Sequence, residues 1–383
     1  MAFTLVLLVG AGLFLQTLAH LYGKVAFPSG RLLMVSVNPP ASGYAPPEAE
    51  HVMREVLRRL RVLPLVERAA AANTRILTGG GSNTNLTIQS QDRIVTERGV
   101  FRMRVGPGFF ATLGARVVLG RDFEERDVRP PGDKPTGYRT VIVNEAFARR
   151  YFKDQSPVGH RLGIGNRPDA ATNIEILGVV QDISYRSLRD GDTEKVYFHF
   201  WDQDSGDGTF YVRLRSGSDA ALASIRGAVA QVDKALPVTL TTLDEQVEKS
   251  LRTERMLAAL SSGFGAVALV LAIVGLYGVM SFVVTQRRQE IGVRLALGAT
   301  RAAALWLAIR DALRMVAAGI AIALPSAWAL RRLVEAQLFD IGPFDGPTLA
   351  LASGVLALSS LGAAMLPAWR AASLDPTEAL RLE

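Results

Sequence analysis

Apolar runs long enough to cross a bilayer flank one long stretch of this chain in which apolar and polar positions alternate on a much shorter scale. A bilayer core of about 30 Å needs roughly 20 apolar residues at a rise of 1.5 Å each. Met256 to Gln286 is free of charge between Arg255 and Arg287, as is Gly346 to Trp369 between Asp345 and Arg370. Met315 to Leu330 is shorter and contains Pro325, but Leu305, Trp306, Ile309 and Leu313 before it extend the apolar character toward spanning length. Met1 to Gly23 is uncharged too; it has neither the basic leading region nor the small-residue cleavage pattern of a signal peptide, so it reads as an uncleaved span. The pattern predicts a membrane α-helical fold with four transmembrane helices, at 1–23, within about 246–286, at about 313–330 and at 346–369. An α+β domain is inserted at 24–245, and 246–383 forms the main membrane part.

Inside the insertion, Leu32 to Val37, Phe101 to Val105, Thr140 to Val143, Asn173 to Val180, Lys195 to Phe200, Thr209 to Leu214 and Pro237 to Thr241 read as strands. Glu48 to Leu63 repeats Val52, Val56, Leu57 and Leu60 at helical spacing, and Asn144 is placed to cap a helix running to Phe152. Thr242 and Glu245 have the spacing of a capping box, so a further helix should begin near Leu243. No proline interrupts it before Thr285, and a continuous helix would be about 65 Å long, a rigid stalk from the domain into the second span.

Charge decides orientation. The formal net charge is +7, mostly from Arg, and the segment 287–314 holds Arg287, Arg288, Arg294, Arg301, Arg310 and Arg314 against Glu290 and Asp311. Short basic loops stay in the cytoplasm. The loop 331–345 has two Arg against Glu335, Asp340 and Asp345, which suits the outer side. The α+β domain is then extracytoplasmic, and the tail 370–383 is cytoplasmic. The absence of cysteine excludes disulfides and thiolate metal sites.

No catalytic constellation stands out. Gly79-Gly-Gly-Ser82 lacks the Gly-Lys-Ser/Thr ending of a phosphate loop and reads as a flexible loop. Asp202, Asp204 and Asp207 depart from calcium-loop spacing and read as a tight turn between two strands. His20, His51, His160 and His199 show no i, i+4 pairing, so neither zinc nor any other metal is expected. The region around Tyr151 and Phe152 has no basic stripe for nucleic acid.

The segment Gln286 to Arg301 is amphipathic, with Ile291 and Leu295 on one helical face, Val293 and Leu297 on another, a break at Gly298 and a cap at Thr300. Physics alone permits an interfacial helix with Arg at the headgroups or a docking helix for a cytoplasmic partner. Here Gln289-Glu-Ile-Gly-Val-Arg-Leu-Ala-Leu-Gly-Ala-Thr300 resembles the cytoplasmic signature of an ABC transporter permease family. That family includes macrolide-exporter and lipoprotein-release permeases and the cell-division protein FtsX. Pro367-Ala-Trp-Arg-Ala-Ala-Ser-Leu-Asp-Pro-Thr-Glu-Ala-Leu380 is similar to its C-terminal end. In the insertion, the stretches Val105 to Gly114, Gly120 to Phe123, Val141 to Phe152 and Ile176 to Asp182 look like the family's extracytoplasmic core domain.

The resemblance implies a multi-pass inner-membrane permease that works as a dimer or beside another permease half. It implies a cytoplasmic ABC ATPase subunit that hydrolyses ATP, no cofactor bound by the chain itself, and an adaptor or outer-membrane channel as a further partner. The ATPase would dock on Glu290, Ile291, Gly292, Arg294, Leu295, Ala296, Gly298 and Ala299. An alternative expectation is a regulator whose outer domain activates a cell-wall hydrolase. The start, without a basic cytoplasmic lead-in, looks like the second half of a duplicated permease of the acidobacterial type, or a split gene.

Overall fold

The computed structural model describes residues 2–23, 31–79, 81–90, 93–128, 137–153, 155–185, 187–189, 193–203, 206–216, 219–286 and 346–372, with single positions between 306 and 325. Contacts divide the chain into two compact units, Gly23–Ser250 and the remainder. The expected third span, the coupling segment 287–314 and the outer loop 331–345 fall almost entirely outside the described residues.

The unit Gly23–Ser250 is α+β. Its outer frame is β1 (Leu32–Val37), α2 (Pro46–Val62), β2 (Val66–Ala72), β10 (Gly208–Leu214), α5 (Asp219–Ala230) and β11 (Val238–Thr242), where α1 is the earlier helix Ala2–Gly23. The strands lie in the order β11-β1-β10-β2, all antiparallel. Two β-α-β halves interleaved this way make a ferredoxin-like split sheet. The helices cover one face: Val52, Met53, Val56 and Leu60 of α2 and Ile225 and Val229 of α5 pack on Val35, Phe210 and Val212. The central strands β1 and β10 are buried at all but one position each, so both of their faces are covered, whereas α2 buries the side that carries Val52, Val56 and Leu60 at helical spacing.

Between β2 and β10 the chain builds a second body from β3 (Ser82–Ser90), β4 (Arg93–Val105), β6 (Thr140–Asn144), β7 (Arg161–Ile164), β8 (Ile174–Val180) and β9 (Lys195–His199). The pairings β4-β3-β7-β8-β6-β9 return to β4 through a parallel ladder, which closes a six-stranded barrel. Closure removes the free edges that an open sheet of this size would present. Leu86, Ile88, Val100, Val141, Val143, Leu162, Ile176, Val196 and Phe198 belong to its core cluster, which the helix α4 (Glu145–Phe152) joins through Phe147 and Phe152. The short strand β5 (Val117–Gly120) hangs on β8.

Several expected elements shift. Phe101 to Val105 is only the end of a 13-residue strand, and β2, β3, β5 and β7 were not anticipated. Ser82, expected in a loop with Gly79, opens β3. The segment after β9 is not a tight turn between paired strands: β9 belongs to the barrel and β10 to the split sheet. Asp202 ends a 3-10 turn there and is buried, accepting from the Arg139 N–H at 3.3 Å; Asp204 lies outside the described residues. The stalk is not one unbroken helix. It runs as α6 (Leu243–Ser250), a turn at Leu251, and α7 (Arg252–Gln286).

In the other unit, three helices among the described residues are long and apolar enough to cross a membrane: α1, α7 and α8 (Gly346–Ala372). Small residues let them approach. A Cβ on Gly12 would come within 2.6 Å of the Thr348 side chain, and Thr348 Oγ1 donates to Gln16 Oε1 at 3.0 Å. Leu276 and Met280 of α7 pack on Ala363 and Ala364 of α8. Close approach over small side chains is how helices associate in lipid, where apolar burial offers no gain.

Candidate functional site: the joint between core domain and α6

Of the eight docking candidates, Glu290, Ile291, Gly292, Arg294, Leu295, Ala296, Gly298 and Ala299, none falls within the described residues. The α+β unit ends in a joint that the structure does describe. The capping box forms as the spacing predicts: Glu245 N–H donates to Thr242 Oγ1 at 3.2 Å and Thr242 N–H to Glu245 Oε2 at 3.1 Å. This starts α6 directly from β11. Leu243, Gln246 and Val247 are buried, so one face of α6 is part of the domain.

Gln246 is the clamp. Its Nε2 donates to the Leu77 carbonyl at 2.8 Å across 169 residues of sequence. Leu77 N–H donates to the Tyr185 carbonyl at 2.5 Å, and the neighbouring Ile76 N–H donates to Tyr211 Oη at 2.8 Å. Tyr211 in turn donates to the Thr74 carbonyl at 2.9 Å. The loop after β2 is thus pinned at both backbone polarities, with Leu77 at a φ of 57° that only such fixing sustains in a branched residue.

Behind that loop lies an aromatic layer that joins the two bodies of the domain. Phe109 and Phe110 of α3 (Phe109–Leu113) meet Tyr211 of the split sheet and Tyr197 of the barrel edge-on, both with ring centroids 5.0 Å apart. Tyr185 stacks with Phe109 at 6.3 Å and contacts Tyr197 at 5.7 Å. Burial pushes the phenols of Tyr185, Tyr197 and Tyr211 upward, so all three stay neutral. Through Leu77 and these rings α6 is thus in contact with both bodies of the domain.

The core-domain motifs that carry the sequence resemblance are framework among the described residues. Asn144 caps α4 by accepting from Phe147 N–H at 3.2 Å, accepts from Lys195 N–H at 2.8 Å and donates to Asp182 at 2.5 Å. Asp182 also accepts from Ala146 N–H at 3.0 Å and pairs with Arg149 at 2.7 Å. Gly120 has a φ of 72°, and a Cβ there would sit 2.3 Å from the Leu177 carbonyl oxygen, so only glycine fits. Arg121 makes a two-pronged contact with Asp127 at 2.6 and 2.9 Å.

A second polar cluster lies under β9. His199 is fully buried, with Nδ1 3.9 Å from Asp202 Oδ1 and its ring edge-on to Phe123 at 5.2 Å. Burial lowers its pKa to about 4, against the opposing pull of Asp127, so it is neutral at ordinary pH. Burial raises the Asp122 carboxyl to about 6. No group of three or more His, Cys, Asp or Glu among the described residues has metal-binding geometry. The Gln246 clamp was missed by sequence reasoning, while His199, read from the sequence as no metal ligand, is a buried core residue; the capping box was the one local signal near the joint.

Known proteins supply the context. A family model described as the MacB-like periplasmic core domain matches residues 1–228, and one described as FtsX-like permease C-terminal matches residues 262–376. The chain is 26% identical over 293 residues to the uncharacterized ABC transporter permease YknZ of Bacillus subtilis, covering 73% of this chain and 69% of that one. It is 23% identical over 325 residues to the macrolide export ATP-binding/permease protein MacB of Neisseria gonorrhoeae, covering 81% of this chain but 46% of that protein. The chain thus spans about half the length of its MacB relatives. The periplasmic region of MacB from Actinobacillus actinomycetemcomitans aligns with 57% of this chain and 92% of its own at 15% identity and a TM-score of 0.38. With one model matched over well over half its length and the second following it, the chain belongs to the ABC transporter permeases that combine a MacB-like periplasmic core domain with an FtsX-like permease region.

Proposed function

We propose that this permease couples ATP hydrolysis by a cytoplasmic ABC ATPase to export or mechanical work at the outer face of the cell membrane. The observation that carries the reading is the succession of the two matched family models in one chain. The 383 residues hold no Gly-Lys-Ser/Thr phosphate loop, so hydrolysis is assigned to a partner subunit. The permease works as a dimer or with another permease half, its core domain outside the membrane and its C-terminus inside. Export is the activity in MacB's name, and an adaptor or outer-membrane channel would complete such a route.

The ATPase docks on the segment containing Ile291 and Leu295, and its closure displaces the membrane helices. Because α6 is pinned to the domain through Gln246 and the helix is interrupted at Leu251, movement arriving along α7 is handed to the core domain at a joint and not through one stiff rod. The test is affinity purification of the tagged protein from its native membrane, as wild type and as Leu295→Asp. An unpaired carboxylate in a buried contact costs several kcal/mol, so roughly a hundredfold or greater loss of ATPase recovery is expected. Equal recovery of an ATPase with both forms overturns docking at Leu295, and no ATPase with either overturns the coupling role.

A further inference from the structure

An open groove of about 510 Å³ lies beside the joint, lined by Arg75, Leu77, Thr78, Gly79, Ser187, Gln246, Lys249 and Ser250. Among the described residues its lining is cationic and hydroxylic: two basic side chains, three hydroxyls and no carboxylate. Ion pairs elsewhere on this domain are common, as with Arg58 and Glu55 or Arg150 and Glu194. Among the described residues, neither Arg75 nor Lys249 has such a partner. Two like charges facing one concavity repel each other and raise its potential, a cost that a bound anion would reverse.

Leu77 and Gly79 both have positive φ, at 57° and 72°, and the Leu77 N–H is held by the Tyr185 carbonyl, so an anion in the groove would be bound by its side chains. Thr78 Oγ1 is spent on the Arg75 carbonyl at 3.1 Å, which steadies the turn. Covalent geometry adds a locus: only six residues lie between Lys249 and Met256, where the uncharged apolar run begins. At no more than about 3.5 Å per residue, the groove lies within roughly 25 Å of chain from that run.

We infer that the groove binds a negatively charged phosphate group, held between Arg75 and Lys249. Its source is either the headgroup of an anionic phospholipid or free phosphate. Occupancy bridges the last turn of α6 and the loop that Gln246 grips, so ligand binding stiffens the joint. The inference stands on the domain alone and does not depend on ATPase docking.

The test uses the full chain in nanodiscs and measures amide hydrogen exchange over Arg75–Gly79 and Leu243–Ser250. Phosphatidylcholine discs are compared with and without inorganic phosphate, and with discs containing phosphatidylglycerol. Slowed exchange with inorganic phosphate alone assigns a free anion; slowed exchange only with phosphatidylglycerol assigns the headgroup; both support the site. Arg75→Gln with Lys249→Gln should weaken the response at least about tenfold. Lys249→Gln alone alters one exposed side chain, and should weaken it by a smaller factor that Lys249→Arg restores, which keeps the test decisive if the double variant does not fold. No slowing in the wild type, or equal slowing in both Gln variants, overturns the proposal.

Discussion

The core domain and the apolar helices spend the same kinds of residue in opposite ways. In the domain, Phe198, Phe210, Val196 and Ile176 have no exposed surface, while its helix α2 shows Arg58 and Arg59 to water. On α7 most large side chains point outward: Phe264, Leu271, Val274 and Phe282 are each more than half exposed, three of the buried positions are the small Ala258, Gly265 and Ala268, and the large Leu276 and Met280 are buried where they meet Ala363 and Ala364 of α8. A chain folding in water hides its large apolar groups; one folding in lipid gains nothing by doing so and packs its small ones instead. Neighbouring stretches of one chain thus carry two different solvents in their patterns.

The largest effects should follow that division. Phe210→Ala removes a side chain buried between α2 and the split sheet, and should cost about 3–5 kcal/mol through lost transfer energy and a cavity. Leu271→Ala, at a position 66% exposed, should change stability by no more than about 0.5 kcal/mol. Thermal unfolding of both variants of the full chain in one detergent gives the contrast. A large loss at Leu271 would mean that α7 is covered by protein there, and would break the comparison. Next in size is Gln246→Ala, which leaves the buried Leu77 carbonyl without its donor and should cost about 1–3 kcal/mol. Faster hydrogen exchange of Thr74 to Gly79 would distinguish loss of the clamp from general loosening.

Much of the architecture was legible because it rests on local rules. Uncharged runs located α1, α7 and α8, Asn144 and Thr242 announced their helices by capping chemistry, and Leu32 to Val37 was a short apolar run of the kind a buried strand requires. What stayed hidden was non-local. The run Ser82 to Ser90 is polar in most positions, so β3 is a strand only because β4 and β7 flank it. Val66 to Ala72 ends in four alanines, a helix-forming composition overridden by pairing with β10. No sequence pattern announces that β9 returns in parallel to β4, or that Gln246 meets Leu77. The break at Leu251 was also invisible, since no proline or glycine marks it.

A smaller effect should appear with pH, again confined to the domain. His199 is held near 4 against an ordinary 6.5, chiefly by burial, so between those values the unfolded chain binds more protons and stability falls as pH falls. Asp122 behaves oppositely: with its pKa pushed up to about 6 by burial, the folded state keeps a proton that the unfolded chain releases, and stability falls as pH rises from 3.8 to about 6. The two trends oppose each other over most of this range. Asp122→Asn should therefore steepen the loss of thermal stability on going from pH 6.5 to 4. An unchanged profile would show that the Asp122 carboxyl is not held above its ordinary value in the folded state.

The smallest effect tests the wet face of the comparison. Arg58 makes a two-pronged contact with Glu55 at 2.7 and 2.8 Å, and Glu55 also accepts from Arg59 at 2.7 Å. Such geometry would be costly to break inside a protein. On the exposed face of α2, water and salt take over the vacated charge, and Arg59 still serves Glu55. Arg58→Ala should lower stability only slightly, less still in high salt, with alanine's helix propensity offsetting part of the loss. Unfolding measured at low and high ionic strength gives the answer: a loss several times larger that salt does not reduce would mean that this face of α2 is covered in the assembled permease, and the boundary between water-facing and covered surface would have to be redrawn around it.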